Sequence, residues 1–362
     1  MIYFDNAATT KPCEGAIEAQ NYSNKFFFNP SALYLPALKI EGEINKVRQK
    51  ILAKLNFCAT HNLIFTSGAT EANNLALFQA SRFKGKTILI GGGEHPSIYQ
   101  FLRGSETKFL EIALTKTGEV DLDDLKKKLT SDVAMVSIMQ VSNETGAITD
   151  IEKVLKTVKS FSDKIWLHCD AVQGFCKIPQ QLPKGVDLIS ISSHKINGLK
   201  GTGALIYENS LNLKPHIKGG GQEFDLRSGT LNVGGILAFG AAVDIKRDYR
   251  AMEKLNAYTR EKLLEIPGAY LNGSGSPYII NVSLEGARSE VIVRMLEEYE
   301  IYISNGSACS SRSGDNRILS AMGVPKKLIE GTIRISFCED NTKGQVDNFI
   351  KRLREVLEEI RK

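Results

Sequence analysis

Between Asn62 and Tyr207 short apolar runs take turns with stretches of helical periodicity, and this alternation restricts the possible folds more than any other feature of the chain. "NLIFT" precedes the helix-like "EANNLALFQASR". "KTILIG" and "VAMVSIMQV" follow, a helix-like "IEKVLKTVKSF" leads into "IWLHCD", and "DLISIS" and "GALIY" close the series. Runs that are apolar throughout suit strands buried on both faces, and parallel neighbours need a crossover, usually a helix, between them. The expected fold class is therefore α/β, with a large domain built on a mainly parallel central sheet covered by helices. Beyond about residue 250 the pattern changes to charged amphipathic helices. In the last of these Val346, Phe349, Ile350, Leu353, Val356, Leu357 and Ile360 recur at i, i+3, i+4, i+7 spacing. A smaller second domain is predicted there.

A chain of 362 residues, 42% hydrophobic and 24% charged, has the composition of an ordinary globular protein. Its 46 basic and 41 acidic residues give a net charge of +5 and are scattered, which leaves no electrostatic footprint for nucleic acid. A small or anionic ligand fits better. No apolar run approaches the ~18 residues of a membrane span, and "MIYFDNAATTK" lacks the charged and apolar regions of a signal peptide. No membrane partner and a cytoplasmic location are expected. Six dispersed cysteines, with no C-x-x-C pair and no Cys/His ligand spacing, suit neither a disulfide framework nor a metal site.

Ligands of open α/β sheets bind beyond the carboxyl ends of the strands, so the polar residues that follow each run are the candidates for chemistry. In "FTSGATEANN" the small residues Ser67, Gly68 and Ala69 precede a helix beginning near Thr70, where free N–H groups could receive a phosphate. Ser67 or Thr70 could equally cap that helix. "WLHCDAVQG" ends a strand on Asp170, with Gln173 three residues on; a carboxylate there can hold a cationic nitrogen protonated, or can simply cap a turn. In "ISISSHKINGLKGTGALIY" Lys195 follows Ser192, Ser193 and His194, and a lysine in a restricted site can become a nucleophilic amine. Arg334 in "IRISF" offers a fork for a carboxylate or an interdomain ion pair. His95 and Asn143 each stand just after a run, the first able to stack on a ring and the second a good turn residue. Together, a phosphate cradle, a ring-nitrogen carboxylate, a Schiff-base lysine and a carboxylate-binding arginine are what pyridoxal phosphate with an amino-acid substrate requires.

The ordered segments "YFDNAATT", "NPSA", "FTSGATEANNLAL", "EHPS", "QVSNETGAI", "HCDAVQG", "SSHKINGLKGTGALIY", "GGGQEFDLRSGTLNV", "NGSACSS" and "IRISF" run from residue 3 to residue 337. In them the chain resembles the cysteine desulfurases of the class V aminotransferase family, pyridoxal-phosphate enzymes of fold type I. The resemblance implies a large cofactor-binding domain over residues 16–249 and a small domain of residues 1–15 and 250–362. It implies Lys195 as the Schiff-base residue, His95 stacked on the ring, Asp170 at the ring nitrogen and Gln173 at the ring hydroxyl. The phosphate would lie on Ala69, Thr70, Ser192 and His194, with Thr230 reaching in from a second subunit, so a homodimer is expected. Asn143 and Arg334 would bind the substrate, L-cysteine. Cys309, in "SNGSACSSRSG", would take its sulfur as a persulfide and pass it to a protein acceptor such as an iron–sulfur scaffold, leaving L-alanine.

Two segments depart from the family pattern: "NPSALYLPAL" has Tyr34 and Ala37 where a His-x-x-Gly pattern is usual, and Phe224-Asp225 is less usual in "GGGQEFDLRSG". The alternatives to weigh are a selenocysteine lyase or an aminotransferase of the same class, and a non-enzymatic carrier that merely presents Cys309.

Overall fold

The computed structural model describes residues 1–306 and 316–362. At its centre lies a seven-stranded sheet, in spatial order His61–Thr66, Gly203–Glu208, Leu188–Ser192, Trp166–Asp170, Val133–Met139, Thr87–Gly91 and Lys108–Ile112. Gly203–Glu208 runs against both neighbours, and the other six strands share one direction. The expected mainly parallel sheet is present, and the six predicted apolar runs are six of its strands.

The physical reason for those runs is visible in the packing. Leu63, Phe65, Leu89, Val136, Ile138, Ala204 and Ile206 enter one core, where Ile151, Val154 and Val158 of the helix Ile151–Phe161 cover them. Their chain neighbours Ile64, Ile88, Ile90, Met135 and Leu205 enter a second core on the other face, beneath Ala72, Leu75 and Ala76 of the helix Ala69–Ser81. Successive side chains point to opposite faces and both faces are dry, so nothing selects for polar alternation. The seventh strand, Lys108–Ile112, escaped the sequence reading because it is an edge: "KFLEI" alternates exposed and half-buried positions and contains no apolar run.

A four-stranded antiparallel sheet, in order Ser304–Asn305, Thr332–Ser336, Ile279–Leu284 and Ala269–Asn272, occupies the C-terminal part. The helix Lys343–Ile360 opens on a capping box between Thr342 and Gln345 and buries Val346, Phe349, Ile350, Leu353, Val356 and Leu357 against it. The amino terminus belongs to the same core. Ile2–Tyr3 pairs in parallel with Ile301–Tyr302, and the Phe4 ring meets Phe337 and Phe349 edge-on at 5.3 and 5.7 Å. From there the chain crosses to the large sheet, where Thr10 donates to the carbonyl of His194 from both its N–H and its hydroxyl.

Candidate active site

The loops after the parallel strands surround a cavity of about 460 Å³. Its wall includes Ser67–Thr70 after the first strand, His95 after Thr87–Gly91, Asn143 and Glu144 after Val133–Met139, Asp170 and Gln173, and Ser192, His194 and Lys195. Ala7 and Ala8 come from the amino-terminal crossing and Arg334 from the small sheet. Ten sequence-predicted residues thus converge: Ala69, Thr70, His95, Asn143, Asp170, Gln173, Ser192, His194, Lys195 and Arg334. Thr230 does not. It is exposed on its own chain and stands outside the cavity wall. Cys309 lies outside the described residues.

Local geometry explains why the phosphate end is open. Gly68 is the N-cap of the helix Ala69–Ser81, and no side chain caps it, so the alternative of Ser67 or Thr70 as the cap is not what the fold adopts. Instead Glu71 reaches back to accept from the Ser67 N–H at 2.8 Å, and Arg227 holds Glu71 through an ion pair of 2.7 Å. Gly203 lets the antiparallel strand approach this turn; a methyl group there would sit 2.6 Å from the Gly68 carbonyl carbon and 2.8 Å from the Ile191 oxygen. On the facing strand the Ser192 hydroxyl is buried and without a hydrogen-bond partner among the described residues.

Deeper in, Asp170 accepts at Oδ1 from the Val172 N–H (3.1 Å) and at Oδ2 from the Asn73 amide (2.8 Å). It therefore does cap its turn, as an aspartate at a strand end commonly does, and it also faces the cavity. Asn73 donates in addition to Ser97 Oγ (2.9 Å), which lies 2.8 Å from His95 Nδ1, and the Ser97 N–H donates to the same nitrogen. This makes Nδ1 an acceptor and places the ring proton on Nε2. Burial pushes the His95 imidazole down from its ordinary range; Asp170 opposes that shift and Lys195 adds to it. Behind them Glu94 is buried, with Oε1 accepting from the Met139 N–H at 2.6 Å. Burial first, then the charge of Asp170, raise its carboxyl well above the usual carboxylate range.

Lys195 Nζ donates to the carbonyls of Ala7 (2.6 Å) and Ala8 (2.7 Å). His194 approaches Thr9 Oγ1 at 3.1 Å. Its imidazole is pushed down to about 4, chiefly by burial and then by Lys195, Lys177 and Lys200, which keeps it neutral near pH 7. Arg334 is buried and divided between two partners: Nη2 donates to Asp5 Oδ1 (2.7 Å) and Nη1 to the Asn143 carbonyl (2.9 Å). Arg334 thus forms an ion pair, but with Asp5 of the amino-terminal segment that packs in the same core rather than across domains; its bond to the Asn143 carbonyl is the one that reaches the loops of the large sheet. Its Nε is buried and has no partner among the described residues, while Arg334 as a residue contributes to the cavity wall. Asn316 and Arg317, just beyond the segment that holds Cys309, are tied to this wall: Asn316 donates to Glu144 (2.8 Å) and Arg317 to the Glu94 carbonyl (2.6 Å).

With these positions established, the comparisons decide the family: the model of class V aminotransferases matches residues 2–349. The chain belongs to the class V aminotransferase family. It is similar to proteins named cysteine desulfurase IscS from Methanosarcina thermophila (33% identical, covering 99% of this chain and 93% of the relative) and from Dictyoglomus turgidum (36%, covering 99% and 95%). Among solved structures it is similar to a NifS-like protein, with a TM-score of 0.90 at 31% identity over 99% of each chain. It is also similar to SspA in complex with cysteine, with a TM-score of 0.80 at 28% identity over 93% of this chain and 99% of the other.

This family of class V aminotransferases works with pyridoxal phosphate, and the residues in the cavity fit that cofactor. The uncapped helix start and the orphaned Ser192 hydroxyl offer donors with no protein acceptor, as a phosphate requires. Asp170 is buried at the far side, where a ring nitrogen needs an anion, and Lys195 stands in the same wall. Sequence reading overlooked Asn73, Glu94, Glu144, Asp5 and the Ala7 and Ala8 carbonyls. Asn73 had a signal, since it follows Thr70 by one helical turn on the same face; Asp5 had none, because it meets Arg334 across 329 positions.

Proposed function

We propose that the protein takes the sulfur of L-cysteine, releases L-alanine, and passes the sulfur through Cys309 to a protein acceptor. The single observation that carries this reading is the convergence, in one cavity, of Lys195, Asp170 and the uncapped helix start with Arg334 from the small sheet. Pyridoxal phosphate, when bound, supplies a carbonyl that joins to an amino group and an electron-poor ring that stores charge released from a substrate C–H bond. Lys195 would hold it covalently through Nζ, with His95 against the ring face, Asp170 at the ring nitrogen and Gln173 at the ring hydroxyl. Ala69, Thr70, Ser192 and His194 would hold the phosphate, joined by Thr230 of a second subunit. The exposure of Thr230 away from its own cavity supports that dimeric arrangement.

Substrate orientation follows from the arginine. Arg334, together with Asn143, would receive the carboxylate of L-cysteine, and Asp5 keeps the guanidinium in place meanwhile. Lys195 Nζ would then move the proton from the substrate α-carbon. Cys309, as thiolate, would form an S–S bond to the substrate sulfur while the Cβ–S bond breaks and leaves its electron pair on carbon, which is protonated on the way to alanine. We infer that residues 16–249 work as the cofactor-binding unit and residues 1–15 with 250–362 as the unit carrying Cys309 and Arg334. A cytoplasmic location and an acceptor serving iron–sulfur clusters, tRNA thiolation or cofactor biosynthesis complete this reading.

The test is incubation with L-cysteine followed by mass measurement of the peptide containing Cys309. A gain of one sulfur atom, absent from Cys309→Ser, with alanine formed by the parent, is the expected result. Alanine formed equally well by Cys309→Ser would refute the persulfide role, and a preference for selenocysteine that ignores Cys309 would turn the assignment to a lyase.

A further inference from the structure

Lys177 is buried at 6% exposure in the turn after the strand Trp166–Asp170. Its Nζ donates to Gln173 Oε1 at 3.1 Å and lies 5.9 Å from the centre of the Tyr278 ring. No carboxylate of the described residues stands within ion-pair distance of it; Glu339, which faces it, is engaged by Arg247 at 3.8 Å and by the Tyr278 hydroxyl at 2.8 Å. A buried cation without a counter-ion is a poor way to stabilise a fold, since removing charge from water costs several kcal/mol that a neutral side chain of the same length would avoid. Something other than stability should account for it.

The next bonds point to the cavity. Gln173, whose oxygen is taken by Lys177, donates through Nε2 to the Ala7 carbonyl at 2.9 Å, and the same carbonyl accepts from Lys195 Nζ at 2.6 Å. An amide has two N–H groups and one oxygen. With the oxygen engaged from behind and one N–H on Ala7, the second N–H is the group that Gln173 can offer within the cavity it lines.

We propose that Lys177 is a positioning residue for the Lys195 end of the cavity, acting through Gln173, whose amide it fixes with the N–H edge toward Ala7 and the cofactor. This rests on the reading of the cavity as a pyridoxal-phosphate site. Charge adds a second effect. Lys195, Arg247, His194, Glu339, Cys338, Cys176 and Tyr278 are the charged and titratable groups around Lys177, and burial followed by the cations Lys195 and Arg247 brings its amine down to about 7. The repulsion is mutual, so the charge on Lys177 disfavours a proton on Lys195 Nζ.

The experiment compares Lys177→Met, which removes donor and charge, with Lys177→Gln, which keeps a donor alone. Three quantities are read: the thermal midpoint of the cofactor-free protein, the dissociation constant for pyridoxal phosphate, and the pH midpoint of the bound cofactor's visible band, which reports protonation at Lys195 Nζ. Lys177→Met is expected to keep or raise the thermal midpoint, to weaken cofactor binding roughly tenfold as a lost hydrogen-bond relay would, and to move the pH midpoint upward by about half a unit or more. Lys177→Gln should bind within about threefold of the parent yet show the same upward pH shift. Binding within twofold and an unmoved pH midpoint in Lys177→Met would overturn the proposal, and so would a thermal midpoint that falls in both variants in step with affinity. Should Lys177→Met fail to fold, the pH midpoint of Lys177→Gln decides. Absence of any visible band in the parent would instead defeat the pyridoxal-phosphate reading itself.

Discussion

Acid should destabilise this protein through one imidazole in particular. His168 lies in the middle of the central sheet, two residues before Asp170, fully buried, with Nδ1 2.8 Å from Ser137 Oγ and Nε2 2.9 Å from Ser190 Oγ. Burial alone brings its imidazole down to about 3, against an ordinary value of 6.5. The folded chain therefore keeps the ring neutral while the unfolded chain binds a proton below pH 6.5. Stability from this group is complete above 6.5, declines as pH falls, and is exhausted near 3. At pH 5 the deficit is about 2 kcal/mol, the unfolded state's protonation free energy over one and a half pH units. His168→Gln keeps hydrogen-bonding capacity and removes the titration. Urea unfolding of both proteins, under identical cofactor loading, should find the parent more stable at pH 7.5 by about 1–2 kcal/mol and the gap closed or reversed at pH 5. In midpoint terms that is a relative shift of roughly half a molar. His61, His95 and His194 are common to both proteins and cancel in the difference. Parallel decline of parent and variant between pH 7.5 and 5 would refute the reasoning, because it would mean that His168 takes up no proton on unfolding in that window.

Two further outcomes are expected. Asn73→Ala removes the amide that joins Asp170 to Ser97 and should cost about 1.5–3 kcal/mol, the worth of a hydrogen bond to a charged group; Asn73→Asp, which sets a second carboxylate against Asp170, should retain less cofactor than Asn73→Ala on dialysis at pH 7.5. Glu223 accepts from both Nη atoms of buried Arg48, at 3.0 and 2.9 Å, and from the Phe65 N–H at 2.6 Å, at the head of three successive left-handed residues, Glu223, Phe224 and Asp225. Glu223→Ala should lose about 3–5 kcal/mol by stranding the arginine charge, while Arg48→Met with Glu223→Gln recovers most of it in a thermal double-mutant cycle.

The large sheet was legible because each of its inner strands is dry on both faces and so writes a continuous apolar run, as "LISIS" and "TILIG" do. Lys108–Ile112, half in solvent, writes nothing of the kind. Residues of the cavity were legible where chemistry follows directly on a strand, which is true of Asp170, His95 and Lys195. They were not legible where the contributing group is a backbone carbonyl, as at Ala7 and Ala8, since every residue has one. Nor could spacing show that Arg334 would be shared between Asp5 and Asn143, a contact made only by the meeting of two sheets. Gln173 and Lys177 stand four apart in a turn whose conformation, with Cys176 at φ 60°, is not that of a helix, so helical spacing gave no guide to their contact.

The crossing of the first ten residues from the small sheet to the cavity sets an order in time. A chain made from its amino end releases these residues first, yet Lys195 follows Ala7 by 188 positions and Arg334 follows Asp5 by 329. The parallel strands can pair once residue 208 has emerged, but the wall formed by Ala7 and Ala8 must wait for the strand Thr332–Ser336, to which Ala7 is tied through the Ser336 hydroxyl at 2.8 Å. The nascent chain therefore lacks the Ala7, Ala8 and Arg334 part of the wall until the strand Thr332–Ser336 has appeared. The same geometry distinguishes an extension from a deletion at the amino end: Met1 is 83% exposed and leaves room for added residues, whereas loss of the first eight removes part of the cavity itself.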